Sequence, residues 1–350
     1  MSGGVDSSVA AALLAGQGHD VIGLSMQLYD QSEGQTQFGS CCTIDDLHDA
    51  RRVAARLGIP HYIVNFEEKF NQTVVSDFVR EYAAGRTPIP CVHCNGDLKF
   101  ATLVDRAAGF GAGLVGTGHY ARVERDEPTG RYRLLRGLDP NKDQSYFLFT
   151  LTQAQLAHAI FPVGALDKAA VRELARDLDL AVADKPDSHE ICFVPGGDHA
   201  GFLQAHGIRN SEGVIRTVEG EVVGQHAGVH RFTVGQRKGL GLSSPIPLYV
   251  VGIDAGSNAV TVGPRNALDR CQLTASGVNW ISGETPATGS RVTAQIRHRH
   301  QEAAATIEPI GHDRVSLVFD QPQSAIAPGQ ALVMYSGDEV VGGGWIETKN

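Results

Sequence analysis

Apolar positions recur along this chain at two spacings, and the change from one to the other divides it. In the first part, short continuous apolar runs alternate with helical spacing. Residues 20–28 read as a buried strand, and residues 31–40, rich in Gly, Gln and Ser, as a loop. Ile44, Leu47, Val53, Ala54 and Leu57 keep the period of an amphipathic helix, which Thr43 and Asp46 cap and Gly58 and Pro60 end. Residues 61–66 and 113–119 read as strands, 70–84 and 98–108 as helices. Such alternation predicts an α/β fold, a parallel sheet covered on both faces, with ligands at the carboxyl ends of its strands. That expectation sets Met26 and Gly118 beside the loop that opens the chain.

From about Phe202 the helical period fades. Short β-rich runs follow at 214–217, 221–223, 248–253 and 259–262. Beyond Leu273 the alternation is nearly continuous: Val292, Ala294 and Ile296 share one face, Arg291, Thr293, Gln295 and Arg297 the other. Residues 315–319 and 331–335 are further strands, and the whole reads as a small antiparallel β-barrel. Three domains result: a nucleotide-binding catalytic domain at 1–201, a small central β-rich domain at 202–268, and a C-terminal barrel at 269–350.

A length of 350 residues accommodates this, and 42% apolar residues support real cores. No window is apolar enough for a membrane span. A net charge of −9 excludes a blanket nucleic-acid binder, so RNA contact must come from local patches. Arg122, Arg125, Arg131, Arg133, Arg136 and Lys142 form one such stretch, and Arg291, Arg297 and Arg299 another. Six cysteines in a chain of this length are not a disulfide scaffold and point to a cytoplasmic protein.

The chemistry begins at the first residues. Ser2-Gly3-Gly4-Val5-Asp6-Ser7-Ser8 reads as a phosphate loop running into a helix: the glycines admit an anion to the backbone, and the helix N-terminus favours it. It lacks the Lys of a Walker A loop. It resembles the SGGxDS signature of the PP-loop ATP pyrophosphatases, which cleave ATP between the α and β phosphates. In that superfamily a parallel strand precedes the loop; here only Met1 does, so the first strand is expected to be missing.

Cys91-Val92-His93-Cys94 is a C-x-x-C motif open to three readings: half a zinc site, buried structural thiols, or redox and sulfur chemistry. No second C-x-x-C completes a zinc site, and Cys41 and Cys42 are adjacent. Asn95-Gly96-Asp97 suggests a turn into the next helix, which would put Cys94 near a helix N-terminus and favour its thiolate. Cys192, between Ile191 and Phe193, reads by itself as packing.

Taken together, several blocks resemble the bacterial and organellar tRNA-specific 2-thiouridylases: CNGDLKF (94–100), GTGHYAR (116–122), KDQSYFL (142–148), DSHEICFVPGGD (187–198), FTVGQRKGLG (232–241) and PGQALVMY (328–335). The resemblance implies ATP-dependent 2-thiolation of the wobble uridine of tRNAs for Glu, Gln and Lys. It implies that Cys192 carries a persulfide and that Cys94 attacks it, leaving a Cys94–Cys192 disulfide. Met1, Ser2, Gly3, Gly4, Val5, Asp6, Ser7 and Ser8, with Met26 and Gly118, match ATP-binding positions. Ile89, Pro90, Cys91, His119, Lys142, Asp143, Gln144, Arg297, His298 and Gln330 match tRNA-binding positions.

Two positions depart from the pattern: Cys91 stands where some members carry an acid/base Asp, and Ile89 where Asn is usual. In isolation Lys142-Asp143 would read as a solvated surface pair and Arg297-His298 as a polar strand face. Expected partners are tRNA, a persulfide sulfur-donor protein and a reductant, with ATP and Mg²⁺ as small molecules; no residue set identifies a metal site, though Asp6 is a candidate. A monomer is expected. Two alternatives remain: an amide-forming or ligase-type PP-loop enzyme, which needs no cysteine pair, and a degenerate RNA-binding protein.

Overall fold

Parallel strand pairs with a crossover helix mark the first part of the chain, and mostly antiparallel pairing the rest. The computed structural model describes residues 1–28, 43–187 and 191–347; the expected loop at 31–40, Cys41 and Cys42, and the DSHEICF residues 188–190 lie outside the described residues. Two compact units emerge. One comprises Met1–Val74, Cys91–Gly197 and Asp338–Val340, the other Val75–Pro90, Asp198–Gly337 and Val341–Asn350.

In the first unit, the opening helix Val5–Gly16 packs its apolar face with Tyr120, Val163, Val171, Ala175 and Val182 in one buried cluster. Strand Gly23–Gln27 pairs in parallel with His61–Asn65, and the helix Ile44–Leu57 lies between them in sequence, as a parallel crossover requires. Its ends are those read from the sequence. Thr43 Oγ1 accepts from the Asp46 N–H at 3.1 Å while the Asp46 carboxylate accepts from Thr43 N at 2.8 Å, a closed capping box. Gly58 ends the helix at φ +67°.

A second parallel pair joins Val115–Gly116 to Ala159–Ile160. The one sheet expected is thus, among the described residues, two separate two-stranded parallel sheets. The strand expected over 113–119 is short because the chain leaves the sheet after Gly116 and turns onto the opening loop. Met1 joins the first pair: its amino group donates to the Leu24 carbonyl, and its own carbonyl accepts from Ser25 Oγ at 2.6 Å.

The turn expected at Asn95-Gly96-Asp97 is not there. Helix runs through it as Pro90–His93, a π-helical stretch Cys94–Phe100 and Ala101–Gly109, with helical dihedrals at both junctions. Cys94 therefore lies inside the helical run, not at its start. Gly96 serves close packing instead, since a Cβ there would lie 2.4 Å from Thr150 Oγ1. The helix expected over 70–84 is likewise segmented, as Glu67–Phe70, π-helical Asn71–Val75 and Ser76–Ala83. An antiparallel hairpin that no sequence signal marked, Ala121–Arg125 with Tyr132–Arg136, completes this part.

The second unit is mostly β. A four-stranded sheet runs in the order Val222–His226, Gly213–Thr217, Ala259–Gly263, Tyr249–Asp254, around Ile215, Phe232, Val250 and Val260. The four β runs read from sequence fall on these strands. Six further strands close into an antiparallel barrel: Asp269–Trp280, Arg314–Ser324, Ala303–Pro309, Arg291–Gln295, Ala331–Ser336 and Glu339–Ile346, the last pairing with the first. Val292, Ala294, Ile296, Leu317 and Met334 fill its interior, as the alternation demanded.

Candidate active site

The opening loop is built for close approach. Gly3 has φ +72°, and a Cβ on it would sit 2.2 Å from the Asp46 carbonyl oxygen. A Cβ on Gly118 would sit 2.5 Å from the Ser7 nitrogen and 2.6 Å from the Asp6 carbonyl carbon. Both glycines let backbone press on backbone, and Gly118 lies against the loop where the sequence set it. Met26 is buried on its strand. Ser8 Oγ donates to the Gly4 carbonyl at 2.8 Å, and Ser2 N donates to Ser7 Oγ at 3.1 Å. No side chain caps the helix at Gly4, so its first-turn N–H groups are not spent on a cap.

Around this loop runs a network of cations and carboxylates that the sequence did not reveal. Lys168 Nζ donates to both Asp6 oxygens at 2.7 and 2.9 Å and reaches Asp187 Oδ1 at 2.8 Å. Asp187 also accepts from Lys142 Nζ at 2.7 Å and from Arg172 at 3.2 Å. Burial works to raise the Asp187 pKa, but its bonds to Lys142 and Lys168 outweigh that and take it down to about 2. Tyr120 OH donates to Asp6 at 2.7 Å, and burial beside that carboxylate raises the phenol pKa.

On the loop's other side, Lys185 Nζ donates to the Gly3 carbonyl at 3.0 Å, to Asp46 at 2.5 Å and to Asp49 at 2.6 Å. Lys185 thus ties the loop to the capped helix. Tyr120 and Asp187 stand in blocks that were legible as motifs, whereas nothing in the sequence singles out Lys168, Arg172 or Lys185.

The loop 116–122 also packs on the far end of the helical stretch that Cys94 begins. His119, next to Gly118, packs between Phe100 and Phe161, with ring centroids 6.2 and 6.0 Å away. Phe100 ends the π-helical stretch that Cys94 begins. Burial, and secondarily Lys99, lower the His119 pKa to about 3, so at neutral pH it offers a neutral ring and no charge. Thr117 Oγ1 bonds its Nδ1 at 2.8 Å.

Cys94 is buried, Cys91 exposed and Cys192 half-buried. Phe193, beside Cys192, meets Phe70 edge-on at 5.4 Å, and the turn Glu67–Phe70 packs along the Cys94–Phe100 stretch. The two cysteine segments therefore share one neighbour.

The three residues Lys142-Asp143-Gln144 divide their work. Asp143 accepts from Arg136 Nη1 at 3.0 Å and from the Gly137 and Ser145 N–H groups. Gln144 Oε1 accepts from Tyr120 N at 3.0 Å. Both brace the loop, while Lys142 turns its ammonium to Asp187 and leaves its side chain 31% exposed.

Within the second unit, Gln330 Nε2 donates to the Thr87 and Pro88 carbonyls at 3.0 and 3.4 Å, which sets it beside Ile89 and Pro90, both buried. Arg297 and His298 are exposed in a turn just past the strand Arg291–Gln295, not on its face. Among the described residues, no group of three or more His, Cys, Asp or Glu could hold a metal, and no helix is long and apolar enough to cross a membrane.

Comparison with known proteins bears on this geometry. Residues 1–196 match the family model of a tRNA methyl transferase HUP domain, 200–264 a tRNA methyl transferase PRC-barrel domain, and 270–346 an aminomethyltransferase beta-barrel domain. The chain is 53% identical to the tRNA-specific 2-thiouridylase MnmA of Geotalea uraniireducens, over 99% of this chain and 93% of that one. It is 52% identical to the protein of that name from Solibacter usitatus, over 99% and 98%, and 45% identical to that from Clostridioides difficile, over 99% and 96%.

Proposed function

The chain belongs to the tRNA-specific 2-thiouridylase family, and from that premise we propose that it uses ATP to replace the 2-oxygen of the wobble uridine, in tRNAs for Glu, Gln and Lys, with sulfur from a cysteine persulfide. It is a tRNA-uridine 2-sulfurtransferase. The carbonyl oxygen of the base is a very poor leaving group. Its attack on the α-phosphorus of ATP expels pyrophosphate and turns that oxygen into part of AMP, which leaves readily.

The outer sulfur of a Cys192 persulfide then bonds to C2 and AMP departs. Cys94 thiolate attacks the Cys192 sulfur, freeing the thiocarbonyl and leaving a Cys94–Cys192 disulfide for a dithiol reductant to reopen. A persulfide-bearing donor protein reloads Cys192.

In this reading Met1–Ser8 hold the phosphates, with Met26 and Gly118 at the adenosine. Mg²⁺ would arrive on the triphosphate and need only one or two protein carboxylates, a demand that Asp6 fits. It would supply charge neutralisation of the leaving pyrophosphate. His119, Lys142, Asp143 and Gln144 form the RNA side, with Ile89, Pro90, Cys91, Arg297, His298 and Gln330. Residues 1–201 act as catalytic domain, 202–268 as central domain and 269–350 as RNA-contacting barrel.

The observation that carries the reading is the pair Gly118-His119: one residue lies on the phosphate loop, the next against the segment that begins with Cys94. The test is nucleoside mass spectrometry of tRNA incubated with the chain, ATP and a persulfide donor. Cys94→Ser and Cys192→Ser should each abolish 2-thiouridine while ATP binding survives. Full thiolation by either variant would remove that cysteine from the scheme, and pyrophosphate release without tRNA would favour an amide-forming relative instead.

A further inference from the structure

Two lysines meet at one carboxylate between the RNA side of the site and its phosphate loop. Asp187 accepts from Lys142 at 2.7 Å on one oxygen and from Lys168 at 2.8 Å on the other. Lys168 is itself shared, bonding both oxygens of Asp6 in the opening loop. The two lysines differ in access: the Lys142 side chain is 31% exposed and that of Lys168 only 12%. A phosphate arriving from solvent can claim the first and not the second.

We propose that Asp187 is a positioning residue that couples RNA binding to the triphosphate site through this shared lysine. The inference rests on the reading above, in which Lys142 meets RNA and the opening loop meets ATP. When an RNA phosphate draws Lys142 away, Asp187 is left with Lys168 and the fixed guanidinium of Arg172 and holds Lys168, the nearer of the two, more strongly. Lys168 then withdraws from Asp6. Asp6 keeps its bond from Tyr120 OH, and the oxygens it had given to Lys168 become available to the divalent cation that travels with ATP. The same exchange runs backwards: Mg²⁺-ATP at Asp6 displaces Lys168 toward Asp187, which frees Lys142 for RNA. Reciprocity of this kind is required of any coupling between two binding equilibria.

The sign depends on the cation. Without it, uncovering Asp6 adds negative charge beside the phosphates and brings no gain.

The experiment measures binding of a non-hydrolysable ATP analogue to the full chain, with and without unmodified tRNA, in Mg²⁺ and in EDTA. In Mg²⁺ the tRNA should tighten the analogue about tenfold, within the usual range for coupled sites; in EDTA it should not. Asp187→Asn should bring the factor in Mg²⁺ to within about twofold of one. Lys142→Met, tested without any tRNA, should bind the Mg²⁺ analogue more tightly than the wild type, which a merely structural role for the lysine would not produce. Coupling that survives Asp187→Asn, or weaker analogue binding by Lys142→Met, overturns the inference. If the wild type binds both ligands with no mutual effect, this inference falls alone; if it binds neither, the underlying reading falls with it.

Discussion

Two glycines in the first unit show how much a single Cβ decides. At Gly118 the added atom would stand 2.5 Å from the Ser7 nitrogen, and backbone on both sides cannot yield without moving the loop. At Gly16, in the last turn of the same opening helix, nothing lies within 4 Å. Gly118→Ala should therefore lower ATP affinity at least tenfold and cost about 1–3 kcal/mol of stability, as overpacking does. Gly16→Ala should leave binding alone and stabilise by no more than about 0.5 kcal/mol, the low end of the gain for a helix interior, because Gly16 is the helix's last residue. Calorimetric titration with an ATP analogue and thermal denaturation of the two variants check both. Wild-type affinity in Gly118→Ala would mean that this loop is not where ATP binds. Gly118 was legible in the sequence, because a glycine in a motif announces close approach. Lys168 was not: its partners Asp6 and Asp187 are far from it along the chain, and no spacing rule links them.

At the scale of elements, local codes were readable and tertiary ones were not. The Thr43–Asp46 capping box uses atoms three residues apart, so its sequence signature suffices. Asn95-Gly96-Asp97 has the composition of a turn, yet the contact of Gly96 with Thr150 and the burial of Asn95 and Leu98 keep it helical. The central four-stranded sheet holds another element-level property. His226 and His230 flank its core, both nearly fully buried, and the Nε2 atom of each has no hydrogen-bond partner among the described residues. Burial lowers both pKa values; Arg231 and His226 add to the effect at His230, while the Asn258 backbone, close but outside hydrogen-bond geometry, offsets part of it at His226. A folded-state pKa below the unfolded value means that the unfolded chain binds more protons in the window between them. Stability is then full above the unfolded value of about 6.5 and falls as pH drops through that window. Protection factors across residues 213–263, exchange rates corrected for the intrinsic slowing of amide exchange toward acid, should fall between pH 7 and pH 5, and a His226→Gln, His230→Phe double variant should flatten that dependence. An unchanged slope in the variant would assign the acid sensitivity to other groups of this unit, His300 among them.

For the whole molecule the question is how a chain of net charge −9 holds RNA at all. The sequence suggested two basic stretches, and by count they look ample. The structure spends much of that charge internally: Arg122 pairs with Asp338, Arg133 with Glu339, Arg136 with Asp143, Lys142 with Asp187 and Arg291 with Asp320. Clusters of arginine are visible in a sequence, but the carboxylates that neutralise them come from strands and loops that only folding brings near. Of these five cations, Lys142 is the one the reading above assigns to RNA. With Lys142 counted on the RNA side, binding should depend on salt as though about five phosphates were neutralised and not about nine, so that affinity falls about five-hundredfold between 50 and 200 mM salt instead of nearly a hundred-thousandfold. Filter binding or fluorescence anisotropy over a salt series gives the slope directly. Asp338→Asn with Glu339→Gln releases Arg122 and Arg133, and should steepen the slope by about one phosphate for each arginine that then reaches the RNA backbone. A wild-type slope already as steep as about nine phosphates would show that these ion pairs open when RNA binds, and the double variant would then change nothing.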